Sequence, residues 1–544
     1  MFVDPNAQNR VKQSTKIRND LAASDALPAQ PTQNPNSDES RPDKIGTYSK
    51  GLIQDSPGRV NLAAFSAFRQ AINAAGFAAG AHTMPSDILG GSTKLNGPQG
   101  AFAFQLDCLD SAQFGSSTVP EAPSLSSKEY GTELVELYWA SLLRDVPFTH
   151  YETNAIAKEA ANELDSPKFK STYAGPLDVN GKVTPRVLFR GGFNSDATTG
   201  PKPAANRGKY FAGELTGPYV SQFCLQPTSF GAQLIDQKYY TAPPEADFMV
   251  DETTWNYVQA GKPTGVTFPL DTTDRRHLHN GRGLCTYTHQ DELYQAYFIA
   301  YLTMKTMNIP WNRTSPYGKM PSDLPSEQPF GTFGGPDVAA TLAVVAKAAL
   351  NAVWYQKWVI HLRHRPEAGG GLVHYQNKGM FPAGTINQDV FTSNALAHSK
   401  QKYNSDFLSQ AFPEGSPPHP AYPTGHGCVA GACITALKFF FEGSTPIPNP
   451  MVPSDDGRHL KVYAYTPADT GIMTVNGELH KLAHNISFGH GIHAGIHWRS
   501  DTDYSMLLGE EVALSFLKDQ VASYSEKVSI AITTMSGSPA VISN

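Results

Sequence analysis

Residues 338–371 read VAATLAVVAKAALNAVWYQKWVIHLRHRPEAGGG and join a long apolar helix to a cluster of basic side chains. Apolar residues at helical spacing mark a buried stripe, namely Leu342, Val345, Ala349 and Val353. In further steps of four, the stripe reaches Lys357, His361 and Arg365, and Pro366 predicts a turn there. Burying a lysine and an arginine is unfavourable unless an anion meets them. The segment therefore indicates either an anion site or a structural salt bridge to a buried carboxylate.

A second candidate segment, PPHPAYPTGHGCVAGACITALKFFF, occupies residues 417–441. Thr424, Gly425 and His426 stand between its Pro-rich part and a predicted amphipathic helix, so a hydroxyl, a backbone amide and an imidazole meet at a helix N-terminus. Helix N-termini favour anions because their first N–H groups are unpaired and the helix dipole is positive there. An ordinary threonine N-cap beside a histidine is the alternative.

Histidines recur in a third segment, HNISFGHGIHAGIHWRSDTD, at residues 484–503. His490, His493 and His497 are spaced by three and four residues and would share one face of a helix. Asp501 follows His497 by four residues, close enough on a helix to orient its imidazole. The spacing alone leaves open a three-histidine metal site, one functional histidine, or structural histidines.

Together the three segments supply two cations, a hydroxyl and an amide at a helix start, and an Asp-oriented histidine. This set describes a pocket for a tetrahedral oxyanion with one covalent nitrogen ligand, and both phosphate and vanadate fit it. A zinc site is disfavoured because Lys and Arg repel a bare cation and no glutamate accompanies a His-x-x-x-His pair.

Composition is that of a globular protein with no basic excess. The chain has 544 residues, 40% of them hydrophobic, and a net charge of -6, which argues against nucleic acid or an anionic membrane surface as a partner. No membrane span and no secretory signal are predicted, so the cytoplasm is the default expectation for a compartment that the sequence leaves unknown. The five cysteines form no disulfide framework, although one or two bridges remain open; they are Cys108, Cys224, Cys285, Cys428 and Cys433.

The remaining periodicity predicts a mainly α protein, as one large domain or two merged bundles. Further helices are expected at 126–148 (with a capping box from Ser126 to Glu129), 288–307, 427–442 and 503–521. Short hairpin strands are expected within 460–481 and 528–544.

Irregular segments are expected at the N-terminus and between helices. Residues 1–45 are polar and predict a tail, or an arm that orders against a partner subunit, ahead of a single large domain at 46–544. The Gly/Pro-rich segments 165–208 and 307–336 are predicted to be long loops of the kind that often line a functional opening.

The three segments resemble the motifs of vanadium-dependent haloperoxidases, which share a helical scaffold with type-2 phosphatidic acid phosphatases. The similarity is closest to red-algal and cyanobacterial bromoperoxidases, and KW-x-x-H-x-x-x-RPEA and HPAYP-[ST]-GH are its most specific strings. It covers most of residues 45–530 through YSKGLIQDSPG, KLNGPQGAFAFQLD, ELYWASLLRDVPF, GPYVSQF and DELYQAYFIAYL. The resemblance implies two four-helix-bundle-type cores and an active site in the C-terminal half.

The resemblance implies a role for each residue at a motif position. The resemblance makes His497 the single nitrogen ligand of vanadium, with Asp501 behind it, and His426 the acid–base group. His419 corresponds to a histidine typical of bromoperoxidases, and Trp354 falls where the family varies the halide surroundings. The vanadate oxygens would be held by Lys357, Arg365, Thr424 (usually serine in the family) and the Gly425 amide.

One family residue is missing from the third motif. The family has an arginine six residues before the vanadium-binding histidine, and here that position is Gly491. Aligned from the N-terminal side, the arginine falls on His490, which would replace it when protonated. Arg499 is not an obvious substitute, and His493 is expected to be a neighbour in the wall. Loss of one charge-assisted hydrogen bond should weaken oxyanion binding by roughly 1.5–3 kcal/mol.

The implied activity is that of a bromoperoxidase. Hydrogen peroxide would oxidise bromide or iodide to hypohalous species that halogenate small organic acceptors, with vanadate as cofactor. The related enzymes imply a homo-oligomer built from dimers, up to a dodecamer. Because phosphate fits the same pocket, the first alternative is a phosphate-monoester hydrolase, with His497 as nucleophile. The second is a catalytically impaired scaffold that lacks the vanadate-binding arginine.

Overall fold

Among the described residues, helices are the predominant regular structure and antiparallel strand pairs are few and short, as predicted. The computed structural model describes residues 6–26, 33–55, 57–75, 84–191, 195–196, 200–201, 214–318, 326–469 and 471–544. Within these ranges the α-helices are α1 Ala7–Asp25, α2 Leu62–Ala75, α3 Lys128–Leu142, α4 Ala155–Leu164, α5 Glu252–Gln259, α6 Gly281–Gln290, α7 Gln295–Thr306, α8 Gly335–Tyr355, α9 Pro366–Asn377, α10 Asn394–Tyr403, α11 Gly425–Phe440, α12 Val475–Phe488 and α13 Arg499–Ala522.

Each described strand pairs with one antiparallel neighbour. The pairs are β1 Gln54–Asp55 with β2 Arg59–Val60, β3 Ser195–Asp196 with β4 Gly200–Pro201, β5 Thr228–Phe230 with β6 Gln233–Ile235, β7 Tyr239–Thr241 with β8 Asp271–Arg276, β9 Met451–Pro453 with β10 Leu460–Val462, and β11 Ser529–Thr533 with β12 Pro539–Ser543.

Helix α11 lies at the centre of a bundle with α8, α12 and α13, and every one of its residues is buried. Two glycines permit its close approach to α13. A Cβ at Gly431 would lie 1.9 Å from the Met506 carbonyl oxygen, and one at Gly509 would lie 1.9 Å from the Cys428 carbonyl oxygen. Any larger side chain at either position would separate the two helices that carry the second and third segments.

The helix of residues 338–371 does not continue to Arg365. After α8 the chain forms a π-helical turn, Gln356–His361, and Leu362 then adopts a left-handed conformation with φ 44°. Arg365 instead precedes Pro366 at the start of α9, where the proline turn was predicted. The prediction of one stripe through Arg365 is therefore wrong, because the π-turn and Leu362 redirect the chain.

The third segment is also not one continuous helix. A second π-helical turn, Gly489–His493, follows α12, and His497 lies in a turn just before α13. The three histidines therefore do not share one helical face, which corrects the prediction. The pairing of His497 with Asp501 is retained because Asp501 occupies the first turn of α13 and faces back toward the preceding residues.

Several element predictions need correction. Residues 475–481 lie in α12 and not in a strand, because Thr474 caps that helix by accepting from the Gly477 amide. Strand β10 pairs with β9, whereas the predicted hairpin near the C-terminus is confirmed by β11 and β12. The cap of α3 is Ser127 rather than Ser126. The helix predicted at 288–307 is interrupted between α6 and α7, at Asp291.

The N-terminal segment contains a helix that the sequence analysis did not predict. None of the residues of α1 is buried, and Gln113 Nε2 donates to the carbonyl oxygen of Asp25 near its end. Ordering of an arm at 1–45 against a partner subunit stays a prediction, as does the domain at 46–544. Parts of the two predicted loops, residues 192–194, 197–199, 202–208 and 319–325, lie outside the described residues.

Two general features of the chain concern cysteines and long helices. All five cysteines are free and buried, so the structure contains none of the bridges that the sequence left open. Among the described residues, one helical stretch, Gly335–His361, is long and apolar enough to cross a membrane, and 61% of its most apolar window is buried inside the protein. That burial is typical of a core helix.

Candidate functional site

Lys357 and Arg365 are buried cations that meet only neutral acceptors. Lys357 Nζ donates to the carbonyl oxygens of Pro420 and Ala421 at 3.0 and 2.8 Å. Arg365 donates to the carbonyl oxygens of His419 and Ile496, each at 3.0 Å. Burial lowers the pKa of Arg365 to about 10, although the charge of Asp501 acts in the opposite direction. Burial and the Arg365 charge lower the pKa of Lys357 well below its ordinary value.

Several other buried cations in the described residues are paired with carboxylates. The pairs include Lys50 with Glu367, Lys481 with Glu478, Arg363 with Asp501, Arg282 with Asp145 and Arg499 with Glu136. The salt-bridge alternative therefore does not describe Lys357 or Arg365, neither of which has a carboxylate partner in the part of the chain that the structure describes. Lys357 and Arg365 therefore favour an anion beside them, because no carboxylate of the described residues neutralises their charges.

The start of α11 adds hydrogen-bond donors to these cations. Thr424 is the N-cap residue, yet its hydroxyl makes no capping bond, and its buried Oγ1 has no hydrogen-bond partner among the described residues. The Gly425 amide lies in the first turn, where no intrahelical acceptor is available. A Cβ at Gly425 would contact only Leu350. The ordinary N-cap alternative fails because the threonine hydroxyl is not used as a cap.

His497 is oriented by a carboxylate on one side and faces a cation on the other. Its Nδ1 lies 2.9 Å from Asp501 Oδ2, and its Nε2 lies 2.7 Å from Arg365 Nη1. Asp501 is itself held by Arg363 Nη1 at 2.8 Å. Because Asp501 accepts at Nδ1 and Arg365 donates at Nε2, His497 is neutral with its lone pair at Nε2. Burial, with Arg365 and Lys357 nearby, lowers its pKa well below the ordinary value.

His426 has a partner that the sequence analysis missed. Its Nε2 lies 3.1 Å from Asp291 Oδ1, in the interruption between α6 and α7. The side chain of Asp291 is 3% exposed, and its Oδ2 has no hydrogen-bond partner among the described residues. With Asp291 accepting from Nε2, the other ring nitrogen of His426 is free to take up a proton.

His419 and Trp354 are neighbours at the edge of the pocket, as the sequence analysis grouped them. Their ring centroids lie 4.7 Å apart, and Arg365 Nη2 lies 3.0 Å from His419 Nδ1. Trp354 is anchored by a hydrogen bond from Nε1 to the carbonyl oxygen of Gly97. Burial and the charges of Arg365 and Lys357 lower the pKa of His419 well below its ordinary value.

His493 lies outside this pocket. Its Nε2 is 2.9 Å from the Tyr219 hydroxyl, and its ring packs edge-on against Phe148 and Phe189. Among the described residues, no group of three or more His, Cys, Asp or Glu side chains is arranged to hold a metal ion. His493 thus lies among aromatic rings, apart from the neighbouring rings of His490 and His497, and its expected place in the pocket wall stays a prediction.

Comparison with known proteins identifies the family of this chain. Residues 337–525 match a family model described as the VCPO second helical-bundle domain. A vanadium-dependent bromoperoxidase of Ascophyllum nodosum is 30% identical over 91% of this chain and 86% of its own length. The chain belongs to the vanadium-dependent bromoperoxidase family. A bromoperoxidase of Corallina officinalis is likewise 30% identical, over 91% of this chain and 90% of its own length.

A solved bromoperoxidase structure shares the fold. It is the homohexameric structure of the second vanadate-dependent bromoperoxidase (AnII) from Ascophyllum nodosum, with a TM-score of 0.87 and 26% identity. The similarity covers 100% of this chain and 91% of the solved one. The mainly helical architecture inferred from the sequence is therefore that of the bromoperoxidases.

Within this bromoperoxidase fold, His490, the position that the sequence analysis aligned with the family's arginine, lies beside His426 and His497 in the candidate pocket. Its ring stacks on His426 at 3.7 Å between centroids and lies 5.6 Å from that of His497. Gly491 has no space for a side chain, since a Cβ there would lie 2.9 Å from Thr502 Cγ2. Arg499 cannot substitute because Glu136 and the Arg190 carbonyl hold it.

The charge of His490 differs from the expectation. Burial lowers its pKa well below the ordinary value, and the neighbouring His426, Arg365 and Lys357 act in the same direction. A positively charged imidazole is thus disfavoured, in contrast to the expectation of a protonated replacement. Its buried Nδ1 has no hydrogen-bond partner among the described residues, so a neutral ring can still offer one N–H donor.

The bromoperoxidase pocket fits an oxyanion by the chemistry of its donors. Among the described residues, two buried cations without a carboxylate partner, the Thr424 hydroxyl without a hydrogen-bond partner and the His497 lone pair lie near the start of α11. Hydrogen bonds to backbone carbonyl oxygens hold the three segments together. The side chains of Lys357 and Arg365 donate to carbonyl oxygens of the other two segments, and the Thr424 amide donates to that of Asp501 at 3.0 Å. The residues present therefore suit vanadate or phosphate.

Proposed function

We propose that this chain binds vanadate and uses hydrogen peroxide to oxidise bromide or iodide, giving hypohalous species that halogenate organic acceptors. The observation that carries the proposal is the pair of buried cations, Lys357 and Arg365, without carboxylate partners beside the His497 lone pair. The curated bromoperoxidases that cover 91% of the chain support the same activity.

The roles of the residues follow from their contacts. His497 Nε2 would be the nitrogen ligand, held in the right tautomer by Asp501. Lys357, Arg365, the Thr424 hydroxyl and the Gly425 amide would hold the oxyanion, and His490 would add one neutral donor. Vanadate, when bound, supplies a Lewis acid that activates peroxide toward halide.

His426 would move protons at this pocket. Its Nε2 is engaged by Asp291, so the opposite nitrogen can accept a proton from entering peroxide and return it to a leaving oxygen. His419 and Trp354 would shape the surroundings of the halide. Phosphate is proposed to occupy the same site as a competing oxyanion.

The test is bromination of a 1,3-diketone by hydrogen peroxide and bromide, with vanadate-free protein titrated with vanadate. We expect activity that rises to saturation at one vanadate per chain. Hydrolysis of a chromogenic phosphate ester without any bromination would favour the phosphate-monoester hydrolase. A folded protein without either activity would favour the impaired scaffold.

We propose further that the chain assembles into a homo-oligomer built from dimers. The homohexameric bromoperoxidase of Ascophyllum nodosum supports assembly of this kind. A dodecamer remains the prediction from red-algal and cyanobacterial resemblance. Sedimentation velocity distinguishes a hexamer from a dodecamer, and a monomer at micromolar concentration would contradict the proposal.

A further inference from the structure

A small cavity of about 210 Å³ shares no lining residue with the candidate oxyanion pocket. It lies between the segment that follows α3, the segment around Tyr219 and strand β9. Its lining is largely aromatic and apolar, and includes Phe148, Tyr151, Tyr463 and Val452. The volume is below the roughly 300–1,000 Å³ that is typical of sites for drug-sized ligands, so a small molecule is the size that fits. No step of the proposed reaction uses this space.

Arg190 brings to this cavity a positive charge that no carboxylate of the described residues neutralises. It is 9% exposed, and Nη2 donates to the Gly217 carbonyl oxygen at 3.0 Å. Its Nε and Nη1 groups are buried and have no hydrogen-bond partner in the described part of the chain. Burial lowers the pKa of Arg190 to about 10, so the guanidinium stays charged near neutral pH. A buried charge of this kind favours an anion beside it.

Tyr151 adds a hydroxyl donor to the same lining. It is 3% exposed, and its hydroxyl has no hydrogen-bond partner among the described residues. Burial raises the pKa of Tyr151 well above its ordinary value, so the hydroxyl keeps its proton. The Tyr219 ring centroid lies 5.3 Å from the guanidinium carbon of Arg190 and 6.5 Å from the ring centroid of Tyr151. The two donors therefore border one aromatic surface.

The remaining charges of the lining favour a monoanion. Arg186 is already paired with Asp469 at 2.6 Å, and the 60% exposed Glu152 lies 3.7 Å from it. These two carboxylates would repel a dianion such as phosphate, whereas a single negative charge is matched by Arg190. A halide ion would leave the aromatic and apolar walls without a partner. Arginine pairs especially well with a carboxylate, which an aromatic ring can carry.

We propose that this cavity binds a small aromatic monocarboxylate. The carboxylate would accept from Arg190 and from the Tyr151 hydroxyl, and the ring would pack against Phe148 and Tyr219. The structural alternative is that Arg190 only holds the Gly217 backbone and lies over Tyr219. The site does not depend on the proposed function, since none of its residues belongs to the oxyanion pocket.

Isothermal titration calorimetry with benzoate on the full-length protein tests the site. We expect saturable binding to the wild type, and an affinity that is weaker by about tenfold or more in Arg190→Met and for the neutral analogue benzamide. Lys357→Met should bind benzoate like the wild type, because Lys357 does not line this cavity. A wild type that does not bind benzoate, or that binds it no better than Arg190→Met, would overturn the proposal. A loss confined to Lys357→Met would also overturn it, by assigning benzoate to the oxyanion pocket.

A conservative variant tests the same site if Arg190→Met does not fold. Tyr151→Phe removes a hydroxyl without a hydrogen-bond partner, so the fold should be kept and the affinity for benzoate should fall severalfold. Tyr297→Phe is the matched control and should bind like the wild type. Tyr297 is 0% exposed, its hydroxyl also has no partner among the described residues, and it does not line the cavity. Equal affinity in Tyr151→Phe and Tyr297→Phe would overturn the proposal.

Discussion

Arg365 Nη1 lies 2.7 Å from His497 Nε2, so a guanidinium donates to the nitrogen that we propose as the vanadium ligand. This contact joins the start of α9 to the turn before α13, two segments that are 132 residues apart in the chain. In the proposed function, Arg365 and His497 would both contact the bound oxyanion. We expect the two buried cations to lower the stability of the fold when no anion is bound.

The first prediction concerns that loss of stability. Replacing Lys357 with Met should raise the Tm of vanadate-free protein by a few degrees, because it removes a buried charge that has no carboxylate partner. Lys481→Met is the matched control, since Lys481 is equally buried but paired with Glu478 at 2.6 Å, and its loss should lower the Tm. Differential scanning calorimetry gives both values. A lower Tm in both variants would show that Lys357 stabilises the fold.

The second prediction concerns Asp291. Asp291→Asn should reduce the bromination rate about tenfold or more, because His426 loses the carboxylate that orients its ring. Vanadate affinity should change little, since Asp291 contacts none of the proposed oxyanion donors. Steady-state kinetics and equilibrium dialysis separate the two quantities, and Asp291→Glu should recover part of the rate. An equal loss of vanadate binding would instead give Asp291 a role in the cofactor site.

The third prediction concerns the missing arginine. His490→Ala should weaken vanadate binding by about tenfold, because one neutral donor is lost. His490→Arg should strengthen it by about one to two decades through a charge-assisted bond. The dissociation constants come from equilibrium dialysis at fixed pH. The same affinity in all three proteins would mean that His490 does not contact the oxyanion.

The fourth prediction concerns pH and stability. Burial raises the pKa of Asp503 to about 7, whereas an unfolded aspartate titrates near 3.8. The folded protein therefore binds more protons between these values, and the Asp503 contribution to stability falls by about 1.4 kcal/mol for each pH unit as pH rises through that window. Asp503→Asn should thus stabilise the protein more at pH 8 than at pH 5. Denaturant unfolding measures the difference, and an equal effect at both pH values would contradict it.

The residues of the candidate pocket were easier to predict from the sequence than their positions relative to one another. Lys357 was identified as a charge on an apolar stripe, and Thr424 and His426 as residues at a predicted helix start. His490 and His497 came from the histidine-rich segment and the family resemblance. Their placement depends on two π-helical turns, which a period of 3.6 residues cannot reveal. The sequence therefore did not show that Arg365 lies at the start of a separate helix, α9, although Pro366 indicated a turn there.

Asp291 illustrates a different limit of sequence reasoning. The apolar residues that follow it supported one helix at 288–307, and the polar run THQDE at the start of that segment was the signal of an interruption. Its contact with His426 joins residues 135 positions apart, which no local pattern encodes. The orientation of His497 by Asp501 was predictable because the two residues are only four positions apart.

The most direct test of the oxyanion pocket is equilibrium dialysis of vanadate against wild-type protein and Lys357→Met. We predict one saturable site per chain in the wild type, competed by phosphate, and no saturable binding in a folded Lys357→Met protein. Equal vanadate binding by the two proteins would contradict the account, because Lys357 would then play no part in holding the anion.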